Sequence, residues 1–289
     1  MEKLSFKNTN NKSFNEIKKY CEDKLNQKID DFQVMDAYNY LTEKELCNNC
    51  NSLINCKQRV KGFYPDRLFD DNFELGYKKC AFKHQFDRNS QIKENFEIMN
   101  MPIKLKEATL DDFKITSDSR RKLLCKASEI LSSYPNCKGI YLHGLNSAGK
   151  SYFTAALLNE LAKRDVKSIM LYYPELLRSV RNQYNMINNE VMEKLLNIDV
   201  LVLDDLGSEN NTVFSRDEIL SPILQHRLLS NKLTIITSNY SLKNLREHLS
   251  RVSGYNKSDS TFEDVKSLRI LRRIIDLTDE FVLNEVYNK

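Results

Sequence analysis

Short apolar runs alternate with amphipathic segments through the second half of the chain. Four runs, at residues 138–143, 167–172, 199–204 and 233–238, have the length and composition of buried strands. The segments between them have helical patterns, as in residues 152–163. Strands that alternate with helices in this way form a mostly parallel sheet covered by helices. The pattern therefore predicts an α/β fold for this part of the chain.

The first part of the chain is highly charged and has a mostly helical pattern. Residues 13–25 place apolar side chains at helical spacing. The sequence Thr42-Glu-Lys-Glu45 has the form of a capping box, so a short helix is predicted to begin there. Pro102 lies ahead of the α/β pattern, where we expect the connection between the two parts. The predicted organisation is a small N-terminal domain at 1–95, a linker at 96–120 and an α/β domain at 121–289.

Composition and charge limit the possible classes of protein. A chain of 289 residues with 41% hydrophobic residues can form about two packed domains. The 44 basic and 40 acidic residues give a net charge of only +4, so any surface for nucleic acid must be local. No apolar run approaches the ~20 residues that span a bilayer, and the N-terminus lacks the apolar core of a signal peptide. The sequence therefore predicts a cytoplasmic protein without a membrane partner.

A glycine-rich loop lies between the first apolar run and the helix that follows it. The segment from 144 to 151 fits the P-loop pattern G-x-x-x-x-G-K-[ST] at every fixed position. Its backbone N–H groups are expected to surround phosphates at the positive end of a helix. Lys150 would reach the β- and γ-phosphates, and the Ser151 hydroxyl would bind Mg²⁺. The predicted residues of this nucleoside triphosphate site are Gly144, Leu145, Asn146, Ser147, Ala148, Gly149, Lys150 and Ser151.

Two later apolar runs end in polar residues that complete such a site. Asp204 and Asp205 follow the third run, where the first carboxylate would hold Mg²⁺, through water or Ser151, and the second would orient the attacking water. Two acids at the end of a buried strand are costly without a cation, although a surface turn is the alternative. Asn239 follows the fourth run and is predicted to sense the γ-phosphate, with neighbouring Thr237 and Ser238 as competing candidates.

Basic residues on a C-terminal helix are candidates for completing the site of another copy. Arg269 and Arg273 are four residues apart and therefore share one helical face. From there they could reach the γ-phosphate of a neighbouring subunit. The alternative is a basic face that only contacts solvent.

Four of the seven cysteines occur in the N-terminal part at spacings typical of a metal site. Cys47-x-x-Cys50 lets two thiolates bind one tetrahedral zinc. Cys56 and Cys80 would complete the ligand set, with His84 as the rival for either of them. A small polar domain gains stability from such a metal, whereas a set of free thiols is the alternative. The remaining cysteines, Cys21, Cys125 and Cys137, are expected only to pack.

The same residues resemble the AAA+ core of bacterial replicative helicase loaders. The similarity lies in the Asp-Asp-Leu-Gly-Ser-Glu sequence at 204–209, the Arg-Asp-Glu at 216–218, Thr-Ser-Asn at 237–239 and the arginine segment at 269–274. The DnaI branch of this group also carries an N-terminal zinc domain, to which the Cys47–Cys50 pair is similar. That branch has a histidine between its second and last cysteines, and none lies between Cys50 and Cys80 here, so Cys56 is the expected substitute.

The resemblance implies a definite function and set of partners. It implies an ATPase that grips the replicative hexameric helicase with its zinc domain and assembles the ring on single-stranded DNA. Self-association through the AAA+ modules is implied as well. Two alternatives remain at this point: a transposition-helper ATPase similar to IstB, and an adaptor that binds ATP as a switch and hardly hydrolyses it.

Overall fold

The chain divides into two compact units, at 1–90 and 91–289, which we call the N-terminal unit and the C-terminal unit. The computed structural model describes residues 13–67, 74–182, 189–252 and 260–285. The first residues of the chain, on which the prediction of no signal peptide rests, lie outside these ranges. Among the helices in these ranges, none combines the length and apolarity that a membrane crossing needs.

The N-terminal unit combines helices with a two-stranded hairpin. It contains α1 (Phe14–Leu25), α2 (Val34–Cys47), the antiparallel strands β1 (Phe63–Arg67) and β2 (Leu75–Lys79), and the first residues of α3 (Ala81–Asn95). The small core of this unit is built mainly from α1, α2 and the turn between them. Its buried residues are Ile17, Cys21, Ile29, Val34, Ala37 and Tyr40.

The helix start predicted at Thr42 is wrong, because α2 begins eight residues earlier, at Val34. Asp30 and Gln33 supply the capping interaction instead, and the backbone N–H of Asp30 donates to Gln33 Oε1 at 3.1 Å. Thr42 lies inside the helix, where its hydroxyl donates to the carbonyl of Tyr38 at 2.9 Å. A threonine can satisfy its hydroxyl in this way within a helix, so a capping-box pattern alone does not define a helix start.

A six-stranded parallel sheet organises the C-terminal unit and confirms the predicted α/β fold. Its strand order is β3-β5-β6-β7-β4-β8, and all neighbouring pairs are parallel. The strands are β3 (Phe96–Met99), β4 (Gly139–Gly144), β5 (Ser168–Tyr172), β6 (Val200–Asp204), β7 (Leu233–Ser238) and β8 (Thr278–Leu283). The helices are α4 (Asp118–Ser133), α5 (Lys150–Ala162), α6 (Tyr173–Asn182), α7 (Asn189–Asn197), α8 (Ser221–Leu229), α9 (Leu242–Ser250) and α10 (Ser260–Leu277), with a π-helical turn (Phe214–Leu220) leading into α8.

The edge strand β3 lies in the region predicted to be a linker. Phe96 is buried and pairs with Ser168 of β5. The strand has only four residues, and a run this short gives no clear pattern in the sequence. Residues 96–99 therefore belong to the sheet, and the predicted linker at 96–120 is wrong for these residues.

Both faces of the sheet are buried, which explains the continuous apolar runs. Along β4, Ile140 and Leu142 enter one core cluster, whereas Tyr141 between them enters the other. Along β6, Val202 and Leu203 divide between the clusters in the same way. Because successive side chains point to opposite faces, a strand covered by helices on both sides is apolar at every position.

The carboxyl ends of four strands meet at one edge of the sheet. The register pairs Tyr172 with Asp204 and His143 with Ser238. In open α/β sheets this edge is where ligands bind. The polar residues that end these strands are thereby brought together.

Candidate nucleotide site

The loop between β4 and α5 has the backbone of an anion-binding turn. Gly149 and Ser147 both have positive φ values, of 94° and 61°. At Gly144 an added Cβ would lie 1.9 Å from the carbonyl oxygen of Leu283, so no larger residue fits there. Backbone N–H groups in such conformations, at the N-terminus of α5, form a site for phosphates.

Lys150 is held across this loop by three acceptors. Its Nζ donates to the carbonyls of Gly144 at 3.0 Å and Leu145 at 2.9 Å, and to Asn239 Oδ1 at 2.8 Å. Burial lowers the pKa of Lys150, and the nearby carboxylates of Asp205 and Asp204 oppose that shift. The ammonium group therefore lies between the phosphate loop and the acids of β6.

Asp204 ends β6 and is 3% exposed, which excludes the surface turn considered for it. It accepts hydrogen bonds from the Ser151 hydroxyl at 2.8 Å and from Thr237 Oγ1 at 2.7 Å. Burial raises the pKa of Asp204, against these two hydrogen bonds. A carboxylate and a hydroxyl in contact are oxygen ligands of the kind that Mg²⁺ prefers, so the residues present fit that ion.

Asp205 has a left-handed backbone, an acceptor for its N–H and two donors to its carboxylate. Its φ is 61°, and its N–H donates to Thr237 Oγ1 at 2.9 Å. Asn239 Nδ2 donates to its Oδ1 at 2.9 Å, and the Tyr172 hydroxyl to its Oδ2 at 3.5 Å. Asn239 therefore bridges Lys150 and Asp205, whereas Ser238 donates to the carbonyl of Leu206.

A cavity of about 750 Å³ opens above these groups, a size typical of small-molecule sites. The sequence motifs did not identify several side chains that line it: Asp112, Phe113, Lys114, Tyr152 and Tyr172. Phe113 lies under the guanidinium of Arg120, 4.5 Å from the ring centre, and Arg120 donates to the carbonyl of Ala148 at 2.7 Å. Phe113 and Arg120 come from the region before β4, where no local pattern indicates contact with the loop.

The two predicted arginines lie on α10 and do not line this cavity. Arg269 is exposed, whereas Arg273 is half-buried and donates to the Ser221 hydroxyl at 2.6 Å. Burial lowers the pKa of Arg273, and the charge of Arg269 nearby lowers it further. Within one chain, the structure therefore does not bring them to the phosphate loop.

Hydrogen bonds from the segment between α2 and β1 contact the four cysteines predicted to bind zinc. Gln58 donates to Cys47 Sγ at 3.1 Å, and the Gly62 N–H donates to Cys56 Sγ at 3.5 Å. That N–H lowers the pKa of Cys56, as does a smaller contribution from the Cys50 thiol. The Gly62 carbonyl in turn accepts from the Cys80 N–H at 2.8 Å.

No zinc site is shown for these cysteines. Among the residues that the structure describes, no group of three or more His, Cys, Asp or Glu side chains is arranged to hold a metal ion. The His84 side chain is exposed. Of the other three cysteines, Cys21 is buried and Cys137 half-buried as expected, but Cys125 is exposed and the packing role predicted for it is wrong.

A phosphate loop after one strand, paired acids after a second and an asparagine after a third define a P-loop nucleotide-binding domain, built here on a parallel sheet with flanking helices. No family model matches the chain. The chain is 29% identical to the replicative helicase loader DnaI of Bacillus subtilis (strain 168) over 264 residues, which are 89% of this chain and 82% of that protein.

Solved structures agree with this relationship. A crystal structure of DnaI is 35% identical, covers 68% of this chain and 97% of its own, and has a TM-score of 0.59. A putative primosome component from Streptococcus pyogenes serotype M3 is 28% identical, covers 69% of this chain and 98% of its own, and has a TM-score of 0.57. The chain belongs to the DnaI/DnaC family.

Proposed function

We propose that this protein is an ATP-dependent loader that places the replicative hexameric helicase on single-stranded DNA at the start of replication. Membership of the DnaI/DnaC family is the observation that carries the proposal. Replication takes place in the cytoplasm of bacteria, so the protein would act there. The nucleotide site would control the state of the loader.

Each group at the site has a distinct task in ATP hydrolysis. The phosphate loop and Lys150 would hold the β- and γ-phosphates, and Ser151 with Asp204 would hold Mg²⁺, which neutralises charge on the phosphates. Asp205 would orient the attacking water, whose oxygen bonds to the γ-phosphorus as the bond to the β–γ bridging oxygen breaks. Asn239 contacts both Lys150 and Asp205, so it is suited to couple the γ-phosphate to the water-orienting acid.

The N-terminal unit would bind zinc through Cys47, Cys50, Cys56 and Cys80, and would grip the helicase. The support is the donor set itself, together with the N–H groups of Gln58 and Gly62 that point at two of the sulfurs. Such donors stabilise thiolates that bind a metal. In this proposal zinc orders the segment between α2 and β1 for contact with the partner.

Copies of the chain would associate through their AAA+ modules, with Arg269 and Arg273 acting on the nucleotide of a neighbouring copy. The mutual proximity of two guanidinium groups supports this, because like charges are favoured together when an anion binds them. Single-stranded DNA would bind to basic loops of the assembled modules.

A loading assay tests the function. The protein is mixed with the replicative helicase of the same organism, ATP and a closed circular single-stranded DNA, and helicase bound to the circle is measured after gel filtration. We expect loading with the wild type and none with Lys150→Ala, which removes the charged contact to the phosphates. The proposal would be contradicted if loading were equal with and without the protein, or equal with the wild type and Lys150→Ala.

A further inference from the structure

Tyr172 lies beside the acids of β6, although no sequence motif includes it. It is the last residue of β5 and pairs in register with Asp204. Its side chain lines the cavity, and its hydroxyl is 3.5 Å from Asp205 Oδ2. Because the sheet determines the position of its backbone, the hydroxyl is placed independently of the phosphate loop.

The two oxygens of the Asp205 carboxylate have different donors. Asn239 donates to Oδ1 at 2.9 Å, and Tyr172 donates to Oδ2. Thr237 holds the backbone N–H, so the main chain is already constrained. What remains free is rotation of the carboxylate about its own bonds, and one donor on each oxygen is what restricts that rotation.

We propose that Tyr172 is a positioning residue for ATP hydrolysis, which holds the Asp205 carboxylate in the orientation that directs water at the γ-phosphorus. This rests on the hydrolysis proposed above. Asn239 contacts Lys150 as well and so responds to the phosphates, whereas the Tyr172 contact comes from the neighbouring strand. The two donors would thus link the acid to the nucleotide on one side and to the sheet on the other.

The protonation state of Tyr172 suits a donor. Burial raises its pKa above the usual value of 10.0, and the negative charge of Asp205 raises it further. The hydroxyl therefore keeps its proton at neutral pH. A protonated phenol beside a carboxylate can only be the donor of the contact between them.

The test is Tyr172→Phe in the full-length protein with its helicase and single-stranded DNA. Loss of a hydrogen bond to a charged group should lower the single-turnover rate of hydrolysis by about tenfold, with the Kd of ATP unchanged within about twofold. The affinity for ADP with aluminium fluoride, which resembles the transition state, should fall by a factor similar to the rate. A purely structural residue would not change the ratio of the two affinities.

The adjacent Tyr173 offers a matched control. Its buried hydroxyl donates to the carbonyl of Ser215 at 3.1 Å, and neither residue lines the cavity. Tyr173→Phe should lower the thermal stability and leave the rate of hydrolysis unchanged. Tyr172→Phe should lower the rate of hydrolysis and leave the thermal stability unchanged.

The outcomes separate this inference from the function on which it rests. If Tyr172→Phe hydrolyses ATP at the wild-type rate, the positioning role is wrong and the proposed function stands. If it weakens ATP binding and leaves the rate constant unchanged, Tyr172 contacts the nucleotide and does not position Asp205. If the wild type itself does not hydrolyse ATP with helicase and DNA present, the proposed hydrolysis fails and this role fails with it.

Discussion

The acids and the asparagine of the nucleotide site lie at or just after strand ends of the C-terminal unit, whereas Cys50 and Cys56 of the N-terminal unit lie in a segment without regular structure. Around the sheet of the C-terminal unit, two large apolar clusters fill both faces. In the described part of the N-terminal unit, the apolar cluster has six buried residues. A small core stabilises a fold weakly, so the stability of the N-terminal unit should depend on a bound group more than that of the C-terminal unit does.

The two units also differ in how their polar groups are arranged. Asp204, Asp205 and Lys150 are connected to one another through Thr237, Asn239 and Ser151, all at the carboxyl edge of one sheet. Folding of the sheet therefore assembles this site. The cysteines have only a few hydrogen bonds from one loop, so their order would come from a metal. Four predictions test this difference, from the largest expected effect to the smallest.

Removal of zinc should unfold the N-terminal unit and leave nucleotide binding intact. We expect one zinc per chain, lost in Cys47→Ser, because structural zinc contributes about 10–16 kcal/mol of apparent binding energy to small domains. Hydrogen exchange measured by mass spectrometry, with and without a chelator, reads the two units separately. Purified protein without zinc, or equal protection of residues 48–62 with and without chelator, would contradict the prediction.

Two further variants identify the fourth zinc ligand. Cys56→Ser should release the metal if Cys56 is a ligand, and His84→Ala should then retain it. The opposite result would assign the histidine.

Loss of the arginines on α10 should abolish stimulated hydrolysis if copies complete one another's sites. An arginine on the γ-phosphate is worth about 10³–10⁵ in rate, so Arg273→Ala should lose most activity and Arg269→Ala less. Turnover per chain should rise with protein concentration. A mixture of Arg273→Ala and Lys150→Ala chains should recover part of the activity, because each lacks a different side of the shared site.

The contact between Arg273 and Ser221 provides the control for this prediction. Ser221→Ala removes the hydrogen bond to the hydroxyl but keeps the guanidinium, so turnover should remain near the wild-type value. Turnover that does not depend on concentration, helicase or Arg273 would mean that the C-terminal unit is complete by itself.

Asp204→Asn should make the C-terminal unit more stable while weakening its Mg²⁺-dependent function. Burial raises the pKa of Asp204 in the folded state above its unfolded-state pKa of 3.8. The protonated carboxyl group therefore stabilises the fold fully below pH 3.8, and this contribution is lost as pH rises through the folded-state pKa. At neutral pH the charged form opposes folding, and asparagine would keep the oxygen that accepts from Thr237 and Ser151. A gain of about 1 kcal/mol corresponds to about 2–4 °C in melting temperature for a domain of this size.

Melting curves without Mg²⁺ check this prediction, with Asp205→Asn as the less buried control. That control should retain ATP binding but slow hydrolysis, and should change stability less. A melting temperature lowered by Asp204→Asn would show that the charge is compensated in the fold.

The smallest expected effect is the pH dependence linked to His143. Burial lowers its pKa below 6.5, although Glu280 at 3.1 Å opposes the shift. The unfolded chain therefore takes up the proton more readily, and stability should fall as pH drops through 6.5, by less than about 1 kcal/mol. Denaturant unfolding of His143→Gln should depend less on pH than that of the wild type.

Much of the sheet could be predicted from the sequence. The runs at 138–143, 167–172, 199–204 and 233–238 became β4, β5, β6 and β7, with bounds that differ by at most one residue. Burial of both faces makes such strands apolar throughout, and the glycines and lysine of the phosphate loop are required by local backbone and charge. These signals lie within a few consecutive residues, so they can be recognised without knowledge of the fold.

Other features depend on residues that are distant in the chain. Arg227 is fully buried, and its guanidinium donates to the carbonyls of Leu195, Ile198 and Leu233. Burial lowers its pKa to about 9. Nothing near Arg227 in the sequence predicts this, because its acceptors come from the end of α7 and the start of two strands.

The sequence by itself determined the α/β pattern, the phosphate loop and the acids that follow β6, since each depends on local spacing. Only the tertiary structure decided that Tyr172, Phe113 and Arg120 approach the same cavity. It also decided that Arg273 packs on Ser221 and that Thr42 lies inside a helix. Those contacts depend on register between strands and on packing between helices, and both are set by the chain as a whole.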